Sequence, residues 1–247
     1  MGAMSQKDVV LLFAGQGAQE IGMGKALAEA VPVARDLIER ADREMDGGLQ
    51  KVMFEGPAEE LTKTCWCQPA LYVHGLASWE ALKQSCPSLR PVAAAGLSLG
   101  EFTAHAASGA LDFSSGLSLV SKRGHFMDDA CAENEGSMAA MIGGDESAVR
   151  ALAEKVDVDV ANLNAPGQIV LSGSPEGIAA AIAGARDAGL RMGKELDVAG
   201  AYHSRLMQPA QDQLAEVLAG TEFSEPAFPV VGNVEARPAE GAAELRS

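Results

Sequence analysis

The chemistry of this chain starts at a serine. The run Pro91-Val-Ala-Ala-Ala-Gly96-Leu97-Ser98-Leu99-Gly100-Glu101 reads as a short apolar strand that turns through Gly-x-Ser-x-Gly into a helix. In a nucleophile elbow the two glycines let the backbone turn sharply, which exposes the serine Oγ above a sheet while the next N–H opens the helix. Ser98 is therefore the candidate nucleophile, and a plain structural turn is the alternative. A serine nucleophile needs a base, and the histidines are His74, His105, His125 and His203. His105 lies on the helix that leaves the elbow, and His74 and His125 fall inside helical patterns, where a hydrogen-bonded structural histidine is the default. His203 stands in Val198-Ala-Gly-Ala-Tyr-His-Ser204, between a strand and a helix that Ser204 could cap, where side chains enter a crevice. It is the candidate base, with a structural role as the competing reading.

Arg123 is the other unusual residue. It falls three after Val120 and four before Met127, on the apolar face of a helix that also carries Leu117 and Gly124. A buried guanidinium keeps its charge, so it needs an anion or several acceptors. An internal salt bridge with Asp or Glu is one solution, and a bidentate clamp for a substrate carboxylate beside the serine is the other.

Elements that could position these groups follow from pattern. Asp8 to Ala14 is continuously apolar after the aspartate, as a buried parallel strand is, and Gly15-Gln16-Gly17-Ala18-Gln19 follows as a tight turn. That turn lacks the third glycine of a dinucleotide fingerprint and the Gly-Lys-Ser/Thr of a Walker loop, so it is no nucleotide loop; it is either a plain strand-to-helix turn or one whose N–H groups face the crevice of Ser98. Helical spacing dominates Pro32 to Gln84, and two more helices within 100–131 part near Gly109 to Asp112. Then the character changes. Strands at Met138–Ile142, Asp159–Asn164, Gln168–Ser172 and Arg191–Leu196, with helices at Glu146–Val156 and Pro175–Ala188, give the split βαββαβ order of a ferredoxin-like domain. A helix at Ser204–Leu218 and a strand at Phe228–Val234 return the chain to the large domain. The expected architecture is α/β: a large α/β-hydrolase-like domain with a parallel sheet (4–134 and 199–247), an inserted ferredoxin-like domain (135–198), and the active site in the cleft between them.

At 247 residues, 47% hydrophobic and 21% charged, the chain can bury one large core with a satellite domain. Val9 to Ala14 is too short for a membrane span or a secretory h-region, so a cytoplasmic location is expected. Met1-Gly2-Ala3 before Met4 resembles a cloning scar. Cys65, Cys67, Cys86 and Cys131 lack zinc spacing and are expected to be reduced, mostly structural thiols, with no metal. A formal net charge of −15 disfavours nucleic acid and anionic lipid. An acidic protein partner would need a local basic patch, for which Lys122, Arg123, Arg191, Lys194 and Arg205 are available.

The motifs together resemble a known family. Phe13-Ala-Gly-Gln-Gly-Ala-Gln19, Cys67-Gln-Pro-Ala70, Gly96-Leu-Ser-Leu-Gly-Glu101, Lys122-Arg-Gly-His-Phe-Met127, Asn162-x-Asn-x-Pro-Gly-Gln168 and Gly200-Ala-Tyr-His-Ser204, in this order, are similar to the malonyl-CoA:acyl carrier protein transacylases of the fatty-acid and polyketide acyltransferase family. The resemblance implies that Ser98 attacks the thioester, that His203 serves as base and then acid, and that Arg123 binds the malonyl carboxylate. It also implies that the N–H groups of Gln16 and Leu99 form the oxyanion hole. The cycle it implies is ping-pong, from malonyl-CoA to the phosphopantetheine thiol of holo acyl carrier protein, in a monomer without metal or redox cofactor. Tyr202, the bulky residue before the histidine, is expected to favour malonyl over methylmalonyl. Two departures stand out: Leu97 occupies a position where the family often has histidine, and family members continue past Ser247 with a region that orients the histidine. An exposed sheet edge or core face is expected from the second. A serine esterase or thioesterase, drawing its acid from Asp157, Asp187 or Asp197, and a truncated, non-catalytic carrier-binding chain are the alternatives.

Overall fold

The computed structural model describes residues 6–239, 241–242 and 244–246, and the scar-like Met1-Gly2-Ala3 lies outside them. In chain order the elements are β1 (Lys7–Phe13), α1 (Lys25–Ala30), α2 (Pro32–Glu44), α3 (Leu49–Glu55), α4 (Ala58–Thr62), α5 (Thr64–Ser85), β2 (Leu89–Gly96), α6 (Leu99–Ala107) and α7 (Phe113–Glu133). They continue with β3 (Ser137–Ile142), α8 (Glu146–Lys155), β4 (Asp159–Ala165), β5 (Gln168–Gly173), α9 (Pro175–Gly184), β6 (Met192–Glu195), a 3-10 turn at Arg205–Met207, α10 (Gln208–Ala219), β7 (Val230–Val231) and a second 3-10 turn at Glu244–Arg246. The chain divides into two compact units, residues 1–124 with 216–247 and residues 125–215.

In the first unit a parallel sheet of order β1-β2-β7 lies among helices. Its core is helical: Ile38 and Leu49 are fully enclosed with Met53, Tyr72, Val73, Leu99 and Val120, each such aliphatic side chain contributing about 1.5–3 kcal/mol. Helix α2 opens with Pro32 at its first turn and buries Ala34, Ile38 and Ala41, one stripe at helical spacing. Helix α5 is buried over most of its length, Gln68 and Pro69 included. Strand β1 departs from the fully buried strand read from its composition. Among the described residues it pairs with β2 alone, and Val10 and Leu12 are 56% and 77% exposed, while Leu11 and Phe13 turn to the other face and pack with Ala94, Ala104 and Val230. An apolar run does not distinguish a strand covered on both faces from an edge strand covered on one.

In the second unit an antiparallel sheet of order β4-β5-β3-β6 carries α8 and α9, the strand order of the ferredoxin-like split βαβ pattern. Asp145 caps α8 by accepting from Ala148 N at 2.8 Å, and Ser174 caps α9 by accepting from Gly177 N at 3.1 Å. Leu152, Leu171, Ile178 and Leu190 lie in its core. This unit is wider than the segment 135–198. Met127 and Ala130 of α7 join Met138, Val170, Tyr202, Met207 and Ala210 in one buried cluster, so the chain after β6 packs with the end of α7.

Candidate active site

The elbow is a product of close backbone approach. Phe13 pairs with Gly96 at the ends of β1 and β2, and Leu97 N donates to Phe13 O at 3.1 Å. A Cβ on Gly96 would stand 2.0 Å from the Gly100 carbonyl carbon, one on Gly100 2.5 Å from Phe13 O, and one on Gly15 2.5 Å from Leu97 O. These three glycines therefore let strand, helix and the first loop meet at one point. Ser98 sits at φ 51°, ψ −108° as the residue preceding α6, a conformation that costs a non-glycine residue about 1–3 kcal/mol and clusters at active sites. Among the described residues no acceptor takes the N–H of Gln16 or of Leu99. These two residues, the oxyanion donors that the family resemblance implies, lie in the same unit as Ser98.

Arg123 reaches Ser98 directly. Its Nη2 donates to Ser98 Oγ at 3.0 Å and its Nη1 to Gln68 Oε1 at 2.7 Å, with the guanidinium 5.9 Å from the Phe102 ring centre. Glycine explains the approach again. A Cβ on Gly124 would lie 2.6 Å from Thr64 O, and one on Gly116 2.1 Å from the Tyr72 hydroxyl, so α7 can lie close to α5 and bring Arg123 to Gln68. No ion pair to Arg123 is formed among the described residues. The internal salt bridge that the sequence left open is not formed among the described residues. Burial pushes the guanidinium down to about 10, with Glu101 opposing that through space, so it stays charged at neutral pH. By donating to Oγ it leaves the serine O–H free to donate to a base.

Two contributors escaped the sequence. Gln68, fully buried on α5, supplies Arg123 with a neutral acceptor; an amide in an apolar helix just before Pro69 was the available signal. Asn233, in the loop after β7, accepts from Ser98 N at 3.0 Å and donates to Gly96 O at 2.8 Å. Its signal was only its place just beyond a parallel strand, where crevice residues gather.

The remaining histidines differ. His105 is buried, with Nε2 3.7 Å from Glu101 Oε1 and its ring edge-on to Phe223. Burial lowers the pKa of His74 against the opposing pull of Glu20.

In the second unit His203 is exposed at φ 58°, another strained position. Ser204 caps the following 3-10 turn, as its type and place led us to expect, accepting from Leu206 N at 3.2 Å and donating to Ala201 O at 2.6 Å. Arg205 ties the same turn to β4, donating to Asp159 and, at 2.8 Å, to Asp157 Oδ1. Hydrogen bonding to Asp159 and Asp157 raises the pKa of Arg205. Arg205 is therefore neutralised locally rather than offered as part of a basic patch, and Asp157, a candidate triad acid, is already engaged. Tyr202 is buried in the cluster around Met127, and its side chain hydrogen-bonds the Cys131 thiol. All four cysteines are free, and no group of three or more metal-ligating side chains occurs among the described residues. No described helix is long and apolar enough to cross a membrane.

A serine held on a strained strand-to-helix turn, with a charged arginine lacking an internal anion on its Oγ, suits transfer of an acyl group that carries its own negative charge. The class is that of α/β acyltransferases. Residues 10–244 match the family described as the acyl transferase domain. The chain is 43% identical over 233 residues to the malonyl CoA-acyl carrier protein transacylase of Bacillus subtilis (strain 168), covering 92% of this chain and 73% of that protein. Among solved structures it is similar to the malonyl CoA-acyl carrier protein transacylase from Coxiella burnetii, with a TM-score of 0.93 and 33% identity, over 100% of this chain and 78% of that one. It is also similar to a malonyl-transacylase solved in complex with its type II PKS acyl-carrier protein, with a TM-score of 0.92 and 36% identity, over 97% of this chain and 79% of that one. The chain belongs to the acyl transferase domain family and, within it, to the malonyl-CoA:acyl carrier protein transacylases.

Proposed function

We propose that this chain moves the malonyl group from malonyl-CoA to the phosphopantetheine thiol of holo acyl carrier protein through a malonyl-Ser98 ester. The observation that carries the reading is the bond from Arg123 Nη2 to Ser98 Oγ at 3.0 Å, made by a guanidinium whose hydrogen-bond partners among the described residues, Gln68 and Ser98, are neutral. A substrate carboxylate supplies the missing anion and is gripped by two parallel N–H donors. In the first half-reaction Ser98 Oγ attacks the thioester carbonyl while His203 takes its proton. The N–H groups of Gln16 and Leu99 receive the developing oxyanion, and the coenzyme A thiol leaves with the proton that His203 returns. In the second half-reaction His203 takes the proton of the carrier thiol as its sulfur attacks the malonyl ester, the C–Oγ bond breaks, and the proton returns to Ser98 Oγ. Tyr202, the bulky residue before His203, favours malonyl over methylmalonyl in this reading by leaving little room for a methyl branch; its ring is held in a buried cluster. The proposed chemistry calls on neither a metal nor a redox group, and every named group comes from one chain, so one protomer suffices for the cycle.

Intact-protein mass spectrometry after brief incubation with malonyl-CoA tests the reading. Wild type gains one malonyl group and passes it to holo acyl carrier protein, and Ser98→Ala gains none. Free malonate released faster than the carrier is loaded would instead make the chain a thioesterase. A folded wild type that takes no adduct would make it a non-catalytic binding chain.

A further inference from the structure

The amide of Asn233 spans the elbow. Its Oδ1 accepts from Ser98 N at 3.0 Å and its Nδ2 donates to Gly96 O at 2.8 Å, so one side chain holds the peptide groups on both sides of Leu97. These partners fix the amide orientation, because a backbone N–H needs the oxygen and a carbonyl needs the nitrogen. Asn233 is itself held: Glu101 Oε2 accepts from Asn233 Nδ2 at 2.5 Å and from Asn233 N at 3.1 Å. Glu101 lies in the first turn of α6, three residues past the nucleophile, and its other oxygen is 3.7 Å from His105 Nε2. Pairing of Ala95 with Val231 brings this loop to the elbow across 135 residues of sequence.

Clamping the Leu97–Ser98 peptide constrains φ of Ser98, and through it the direction of Oγ and of the Leu99 N–H. It also occupies the Ser98 N–H, leaving Leu99 as the elbow's donor to a reacting oxygen. Asn233 is exposed, so its effect is geometric rather than one of burial.

We propose that Asn233, braced by Glu101, is a positioning residue that holds Ser98 and the Leu99 N–H in reactive geometry. This rests on the reading of Ser98 as nucleophile. The test compares wild type, Asn233→Ala, Asn233→Asp and the double variant Asn233→Asp/Glu101→Gln. The double variant keeps the acceptor for Ser98 N and restores a donor–acceptor pair between positions 233 and 101 with its direction reversed. Single-turnover acylation by malonyl-CoA is followed over a concentration series. Labelling by an alkyl fluorophosphonate, in which Oγ bonds phosphorus and fluoride leaves, is read in parallel because it needs no malonyl recognition.

Asn233→Ala is expected to lower the maximal rates of both reactions by about 10²-fold, the effect of a small misplacement of reacting groups. The half-saturating malonyl-CoA concentration should stay within about threefold, because Arg123 is untouched. The double variant should exceed Asn233→Asp by about tenfold or more in both reactions, as expected of coupled partners. Wild-type rates in Asn233→Ala, or a double variant no faster than Asn233→Asp, would overturn the proposal. If Asn233→Ala does not fold, the second comparison decides alone. If wild type is labelled by the fluorophosphonate but not by malonyl-CoA, the transacylase reading fails while this one is still decided.

Discussion

Ser98 at φ 51° and ψ −108° stands where glycine is at ease and serine is strained. A substitution to glycine should therefore stabilise the fold, whereas alanine keeps the strain. We expect Ser98→Gly to exceed Ser98→Ala in unfolding free energy by about 1 kcal/mol, both being dead in acylation; equal denaturant midpoints would show that the elbow is not strained. Arg123 supports a second prediction. Its hydrogen bonds go to neutral oxygens of Gln68 and Ser98; under the proposed function its charge meets the malonyl carboxylate, and a charge-assisted pair is worth about 1.5–3 kcal/mol. Arg123→Ala should lower kcat/KM for malonyl-CoA by roughly 10- to 10²-fold and leave acetyl-CoA nearly unaffected; a parallel loss with both thioesters would assign Arg123 to the fold instead. Ser98 and the buried face of Arg123 were legible because local spacing sets an elbow and a helix face. Gln68 and Asn233 were not, since an amide acquires its role only from the partner that folding brings to it.

Glycines set the elements against one another, and their roles are separable. Gly96 is the most constrained: its Cβ would fall 2.0 Å from both C and O of Gly100, backbone atoms that cannot swing aside. Gly96→Ala should cost at least about 3 kcal/mol, which in a chain of this size lowers Tm by roughly 6–12 °C. Thermal unfolding within about 2 °C of wild type would mean that the turn can open without loss. Gly17, with no atom within 4 Å of a Cβ but φ +105°, should suffer from backbone strain alone. Element types and order were legible from periodicity and turn residues, including the βαββαβ order and the break before Phe113. Element extents were less so. The strand expected over Phe228–Val234 is only Val230–Val231, because Pro229 brings no N–H and Asn233 turns to the elbow instead of continuing a ladder. Helix α9 ends at Gly184 rather than Ala188, where the chain tightens into turns closed by Gly189 at φ +81°. Burial of β1 was misjudged for a different reason: what covers a strand's second face is not written in the strand.

At the scale of the whole molecule the dominant fact is charge. A formal net charge of −15 surrounds a reaction whose proposed donor is a polyanionic thioester. The positive groups that could offset it locally are only partly available. Arg205 is bound to Asp157 and Asp159, and Arg123 is inside the site, where it acts after arrival rather than during approach. Lys122, Arg191 and Lys194 remain exposed. Long-range repulsion falls with screening, while the short contacts to Arg123 are much less affected, since the screening length is about 10 Å at 0.1 M salt. Raising ionic strength from about 0.02 to about 0.2 M should therefore increase kcat/KM for malonyl-CoA by a few-fold with kcat unchanged. Steady-state rates at fixed pH across that range are the measurement. A decrease of kcat/KM instead would locate an attractive patch at the entrance, and charge reversal at Lys122, Arg191 and Lys194 in turn would show which unit carries it, because Lys122 belongs to the first and the other two to the second.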